Sequence, residues 1–170
     1  MTCRLLLFRH AKSARPEGVD DYDRPLAERG RKDAAFMGGL MAREGLVPDL
    51  ALVSPALRTR ETWGLARRAF AAGIPERFDT SLYDSTPERL VNALRAAGTE
   101  AKVIVLVGHN PEIEETAALL CGDGEVDAMA RLGAKFPTAA LAVIDFPVAS
   151  WADITPENGY LERFVTPQPA

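Results

Sequence analysis

The sequence predicts an α/β fold of three layers, helix–sheet–helix, around a largely parallel central sheet. Three observations carry this. Unbroken apolar runs at residues 5–8 and 103–107 suit strands buried on both faces, which requires a sheet covered by helices. Segments with helical apolar spacing alternate with these runs, the pattern that gives parallel pairing. A chain of 170 residues with 47% hydrophobic and 26% charged residues has the size and make-up of one globular domain, expected over residues 1–165.

The elements follow in order. Residues 5–8 form the first strand. Ala34, Met37, Leu40 and Met41 repeat at helical spacing, and Gly45 and Pro48 end that helix. Residues 50–53 are a short second strand. Ser54 is placed to cap the next helix and Pro55 suits its first position; it is expected to run to about Ala72, with Gly73 as its stop. Thr86-Pro87-Glu88 opens a third helix through Leu90, Leu94 and Ala97 to Gly98. Residues 103–107 are a strand, and Pro111 opens a fourth helix through Ile113, Ala117 and Leu120, stopping at Gly122. Residues 141–146 form another strand, and residues 160–165 alternate like a strand nearer an edge. The Pro-containing end, 166–170, reads as a flexible tail.

Composition removes several function classes. A net charge of −4 leaves no basic surplus for phosphate-backbone contacts, so nucleic acid is not an expected partner. The two cysteines, Cys3 and Cys121, border apolar runs and read as buried small hydrophobes in a reducing compartment. No apolar stretch reaches the roughly 18 residues that span a bilayer, and the first residues do not form a signal peptide. A cytoplasmic protein without a membrane partner is expected. Neither of the glycine-rich nucleotide-binding motifs occurs.

The chemistry gathers around the two histidines of the chain. His10 follows the first strand and His109 the strand at 103–107. In open α/β sheets the ligand crevice lies beyond the carboxyl ends of the strands, so neighbouring strands would bring both imidazoles into one crevice. Arg9 closes an apolar strand, which is costly without an anionic partner. Arg58 opens the helix after residues 50–53. Paired guanidinium hydrogen bonds and helix N-termini suit a tetrahedral oxyanion. Together these groups make a phosphate pocket. A metal site on the two histidines is disfavoured, because adjacent arginines repel a cation. The pair Asp21 and Asp23 follows a polar segment rather than a buried strand and reads as an acidic loop.

These residues lie in a familiar order. Leu7-Phe8-Arg9-His10-Ala11-Lys12-Ser13 resembles the signature of the histidine phosphatase superfamily, with Ala11 where Gly is commoner, as in the SixA-like phosphohistidine phosphatase subgroup. Asp23-Arg24-Pro25-Leu26 with Arg29-Gly30, the stretch from Ser54 to Thr62, and Gly108-His109-Asn110-Pro111 resemble the family's later motifs. The resemblance implies a phosphoglycerate mutase-like fold and a hydrolase that needs no metal or cofactor. It implies His10 as nucleophile, with Arg9, Arg58 and His109 binding the phosphoryl oxygens. Ser13 is placed to donate to a phosphate oxygen; Lys12 and Arg15 fit the rim of the site or ordinary loop solvation.

The general acid stays open between Asp84, the preferred candidate, and Glu88, which also suits the first turn of a helix. Imidazole, with a pKa near 6.5, leaves with little acid assistance. The expected substrate is therefore phosphohistidine in a signalling or phosphotransfer protein. The alternatives are a small phosphate ester and a non-catalytic phosphate-binding module.

Overall fold

The computed structural model describes residues 2–167, so the last three positions of the expected tail lie outside the described residues. One sheet contains β1 (Cys3–Arg9), β2 (Leu50–Val53), β3 (Glu76–Phe78), β4 (Val103–Gly108), β5 (Cys121–Gly124), β6 (Leu141–Phe146) and β7 (Gly159–Val165). Five helices accompany it among the described residues: α1 (Glu28–Arg43), α2 (Leu57–Ala66), α3 (Pro87–Arg95), α4 (Glu112–Leu120) and α5 (Val126–Ala134).

The strand order is β3-β2-β4-β1-β6-β7-β5. Pairing is parallel from β3 through β2 and β4 to β1, and again between β7 and β5. β6 runs against both neighbours, so the sheet is mixed with a parallel half. Within β1 the side chains alternate between two cores. Leu5 and Leu7 pack with α3, α4 and α5; Leu6 and Phe8 pack with α1 and α2. That division is the three-layer sandwich. α1 and α2 meet closely because Gly38 has no side chain: a Cβ there would lie 2.2 Å from the Ala66 carbonyl oxygen.

Register sets the site. Arg9 pairs with Gly108, and Val107 with Val53, so β1, β4 and β2 end level with one another. The residues that follow, His10, His109 and Ser54, therefore emerge side by side at one carboxyl edge, as the crevice rule requires.

Several boundaries differ from the sequence reading. α1 starts at Glu28 rather than Ala34, because its first turns are mostly polar and leave no apolar repeat. α2 ends at Ala66, not near Ala72; a 3₁₀ turn over Arg67–Ala69 leads to an extended Phe70 whose ring packs on Trp63. Ser54 does not cap α2, whose cap position is Ala56; the Ser54 hydroxyl is used elsewhere. The expected stop at Gly122 lies within β5, and β3 and α5 carried no clear pattern. In α5 only Ala128 and Leu132 are buried, and Val126 is 84% exposed. Both cysteines are buried. No described helix is long and apolar enough to cross a membrane.

Candidate active site

His10 is held by the backbone on both sides. Its N–H donates to the Gly108 carbonyl (3.0 Å) and its carbonyl accepts from the Ala139 N–H (3.0 Å). Its Nδ1 lies 2.7 Å from the Ala11 carbonyl oxygen. A carbonyl can only accept, so Nδ1 carries the proton and the lone pair sits on Nε2. The loop after it is tied down in turn. The Ala11 N–H donates to Thr62 Oγ1 (3.0 Å), whose hydroxyl donates to the Arg58 carbonyl (2.7 Å). α1 closes on the same loop: a Cβ at Gly30 would lie 2.0 Å from the Lys12 carbonyl oxygen. Burial pulls the His10 imidazole down to about 4; Arg58, Arg9 and Arg24 add to this, and the Ala11 hydrogen bond opposes it. The ring is neutral at ordinary pH.

His109 stands beside it, with ring centroids 5.3 Å apart. Its Nε2 shares a 2.8 Å hydrogen bond with the Ser54 hydroxyl, while its buried Nδ1 has no protein partner. Burial, reinforced by His10, Arg58 and Arg9 and opposed by Asp21, holds this imidazole at about 3.

The two arginines are anchored differently. Arg9 donates from Nη1 to the Phe136 carbonyl (2.8 Å), and its buried Nε has no partner. Arg58, only 7% exposed, donates from Nη1 to the Asp21 carbonyl (2.7 Å) and from Nη2 to Asp21 Oδ2 (3.1 Å); its Nε is also unpartnered. The Asp21 carboxylate accepts as well from the Tyr83 hydroxyl (2.7 Å) and Arg24 (2.9 Å). The Tyr83 bond, then those from Arg24 and Arg58, hold Asp21 well below the usual carboxylate range. The same bond pushes the Tyr83 phenol up to about 12. An acidic loop thus supplies a carboxylate that sits on the donors of Arg58.

Arg9, His10, Ser13, Arg58 and His109 line one cleft of ≈ 290 Å³, with Lys12 and Arg15 exposed at it. The Ser13 hydroxyl accepts from Arg24 Nη2, leaving its own proton available to an incoming oxygen. Asp84 is not in this cleft. It is exposed, in a left-handed turn (φ 50°), and borders an adjoining hollow of ≈ 560 Å³ that shares Asp21, Arg58 and His109. Glu88 is exposed in the first turn of α3 and borders neither. Among the described residues no three His, Cys, Asp or Glu side chains are placed to hold a metal ion.

Sequence reasoning missed four contributors. Ser54 was read as a cap and Asp21 as a solvated loop residue. Thr62 lies one turn after Arg58 on the same helical face, a signal that could have found it. Glu112, only 5% exposed, borders the larger hollow and accepts from the Ser85 N–H (3.1 Å); nothing local in the sequence announces that.

The same sequence pattern and fold occur in known proteins. The sequence model of the histidine phosphatase superfamily, branch 1, matches residues 5–84. An uncharacterised Mycobacterium tuberculosis protein is 35% identical over 163 residues, 95% of this chain and 100% of the relative. A crystal structure from Agrobacterium tumefaciens, provisionally assigned as phosphohistidine phosphatase SixA, is 34% identical; the match covers 96% of this chain and 97% of that one with a TM-score of 0.82. A structure from Nakamurella multipartitia with the same provisional assignment is 26% identical over 99% and 98% of the two chains, with a TM-score of 0.84.

Proposed function

This chain belongs to the histidine phosphatase superfamily, and on that footing we propose a phosphatase that works through a phosphohistidine intermediate on His10 and acts on phosphohistidine in a protein. One observation carries the reading. A neutral imidazole with its lone pair on Nε2 stands in a cleft with one buried and one half-buried guanidinium and a second neutral imidazole. That is a nucleophile facing fixed positive charge, which is what phosphoryl transfer needs.

The phosphoryl group enters against Arg9, Arg58 and His109, and its oxygens displace the Asp21 carboxylate from Arg58. His109 accepts a hydrogen bond from the Ser54 hydroxyl at Nε2 and so presents Nδ1–H to a phosphoryl oxygen. His10 Nε2 attacks phosphorus while the bond to the leaving nitrogen breaks. The leaving imidazole keeps that electron pair and takes up a proton. Water then attacks the phosphoenzyme, the P–Nε2 bond breaks, and inorganic phosphate leaves. Because imidazole leaves readily, an acid bound as loosely as the exposed Asp84 suffices.

The larger hollow favours a second reading. With Tyr83, Asp84, Ser85 and Glu112 on its walls it has room and carboxyl groups for a small phosphate ester and its leaving alcohol. The test is phosphate release in EDTA by wild type and His10→Ala, on a phosphohistidine protein and on an aryl phosphate. Release by wild type only, faster from phosphohistidine, is the expected result, with a loss of at least about 10³-fold in the variant. Release from the aryl phosphate alone moves the substrate to small esters. Release by His10→Ala at the wild-type rate overturns the mechanism.

A further inference from the structure

We infer that a second hollow beside the catalytic cleft docks an acidic segment of the substrate protein, flanking its phosphorylated histidine. This rests on the phosphoprotein reading above. The hollow measures ≈ 330 Å³ and is walled by Arg29, Arg131 and Lys135 over Pro137 and Phe164. It adjoins the catalytic cleft directly, because Thr138 lines both. The segment that joins them is rigidly linked to the chemistry. Its Phe136 carbonyl holds Arg9, and its Ala139 N–H holds the His10 carbonyl.

The hollow is built before anything binds. Arg131 donates to the Phe164 carbonyl (2.7 Å) and lies over the Phe164 ring, 5.6 Å from its centroid. That ring is braced edge-on by Phe136 at 5.1 Å. Arg29 is paired with Asp33 at 3.5 Å yet keeps its side chain 62% exposed, and Lys135 is exposed.

Charge placement selects the occupant. The chain carries a net −4, yet three cations ring this hollow, and Lys12 and Arg15 continue them along the catalytic cleft. The opposite flank is acidic, with Asp84 and Glu112 on its wall. An acidic polypeptide is drawn to one side of the cleft and repelled from the other. Its apolar side chains meet the Phe164 and Pro137 floor. A small ester has no extension with which to use either feature. Rim charges of this kind steer encounter and set salt dependence.

The test uses three synthetic peptides of equal length around one histidine, flanked by Glu, Gln or Lys. Each is titrated unphosphorylated against wild type and Lys135→Glu, and each phosphohistidine form is assayed for turnover. The expected order for wild type is Glu tightest and Lys weakest. Lys135→Glu should weaken the Glu peptide about fivefold, while aryl phosphate turnover stays unchanged. Arg131→Gln gives a second variant that removes a cation without reversing charge. Glu and Lys peptides binding equally to wild type would overturn the inference, as would an unchanged preference in both variants. Should phosphohistidine turnover be absent while the Glu preference and its loss in Lys135→Glu persist, the docking surface stands and the substrate assignment falls instead.

Discussion

The catalytic cleft is assembled from two kinds of chain. Arg9, His10, Ser54 and His109 sit at or just beyond the level ends of β1, β2 and β4, and their positions follow from strand register. Asp21, Tyr83 and Asp84 come from connecting segments on the other side of Arg58. In the first group His10, Ser54 and His109 are buried and Arg9 is half-buried, and two polar atoms, Arg9 Nε and His109 Nδ1, are unsatisfied. In the second group Asp21 and Asp84 are exposed and Tyr83 is half-buried, and the Asp21 carboxylate accepts from the Tyr83 hydroxyl. A buried donor without a partner is held ready for a ligand at a cost in stability. The exposed carboxylate occupies a donor until the ligand arrives. On the proposed mechanism, the difference separates groups that bind phosphoryl oxygen from one that competes with it.

Breaking the link between the two sets should have the largest effect. Arg58 links the two sets, and Arg58→Ala removes one of the fixed positive charges. Turnover should fall about 10²- to 10³-fold with the fold retained, read by steady-state kinetics beside a thermal melt. A fall below tenfold would mean that Arg9 alone supplies enough positive charge for the phosphoryl group.

An acid titration sharpens the contrast next. With two histidines in the chain, the imidazole C–H resonances are directly readable. Both should stay neutral from pH 8 down past 5, with His10 near 4 and His109 near 3, against about 6.5 when unfolded. Between those values the unfolded chain binds more protons than the folded one, so these two groups make stability rise with pH. Their contribution is complete above about 6.5 and drains away as acid carries the pH towards 4 and below. Thermal midpoints across that range test the sign, and titration of either ring near 6.5 would show that its burial is relieved in solution.

The smallest expected effect lies in the connecting segments. Asp21→Asn keeps the shape and removes the charge that competes for Arg58. Inorganic phosphate should then inhibit at a concentration about threefold lower, consistent with the modest worth of partly exposed ion pairs. Weaker inhibition would make Asp21 a support for Arg58 rather than its competitor.

This division also tells what was legible in the sequence. Apolar runs marked β1, β2, β4 and β6 because strands buried on both faces have little freedom in composition. The residues after such strands then pointed to His10 and His109. β3 and β5 left no such trace: one is three residues long, and the other is Cys-Gly-Asp-Gly. The Ser54 partner, the Phe136 carbonyl on Arg9 and the carboxylate of Asp21 on Arg58 depend on three-dimensional approach between distant segments. No local propensity encodes those meetings. Ser54 shows the limit well, since a serine before a proline at a strand end carries the signature of a cap, and only the neighbouring strand turns its hydroxyl to His109.

The short bond from His10 Nδ1 to the Ala11 carbonyl has a regiochemical consequence. Phosphohistidine exists as two isomers, according to which ring nitrogen bears the phosphorus. On the proposed route only Nε2 has an electron pair to give, so the phosphoenzyme is the tele isomer alone. Either isomer of a substrate would pass through that single form, and the identity of the substrate nitrogen would be lost at the first step.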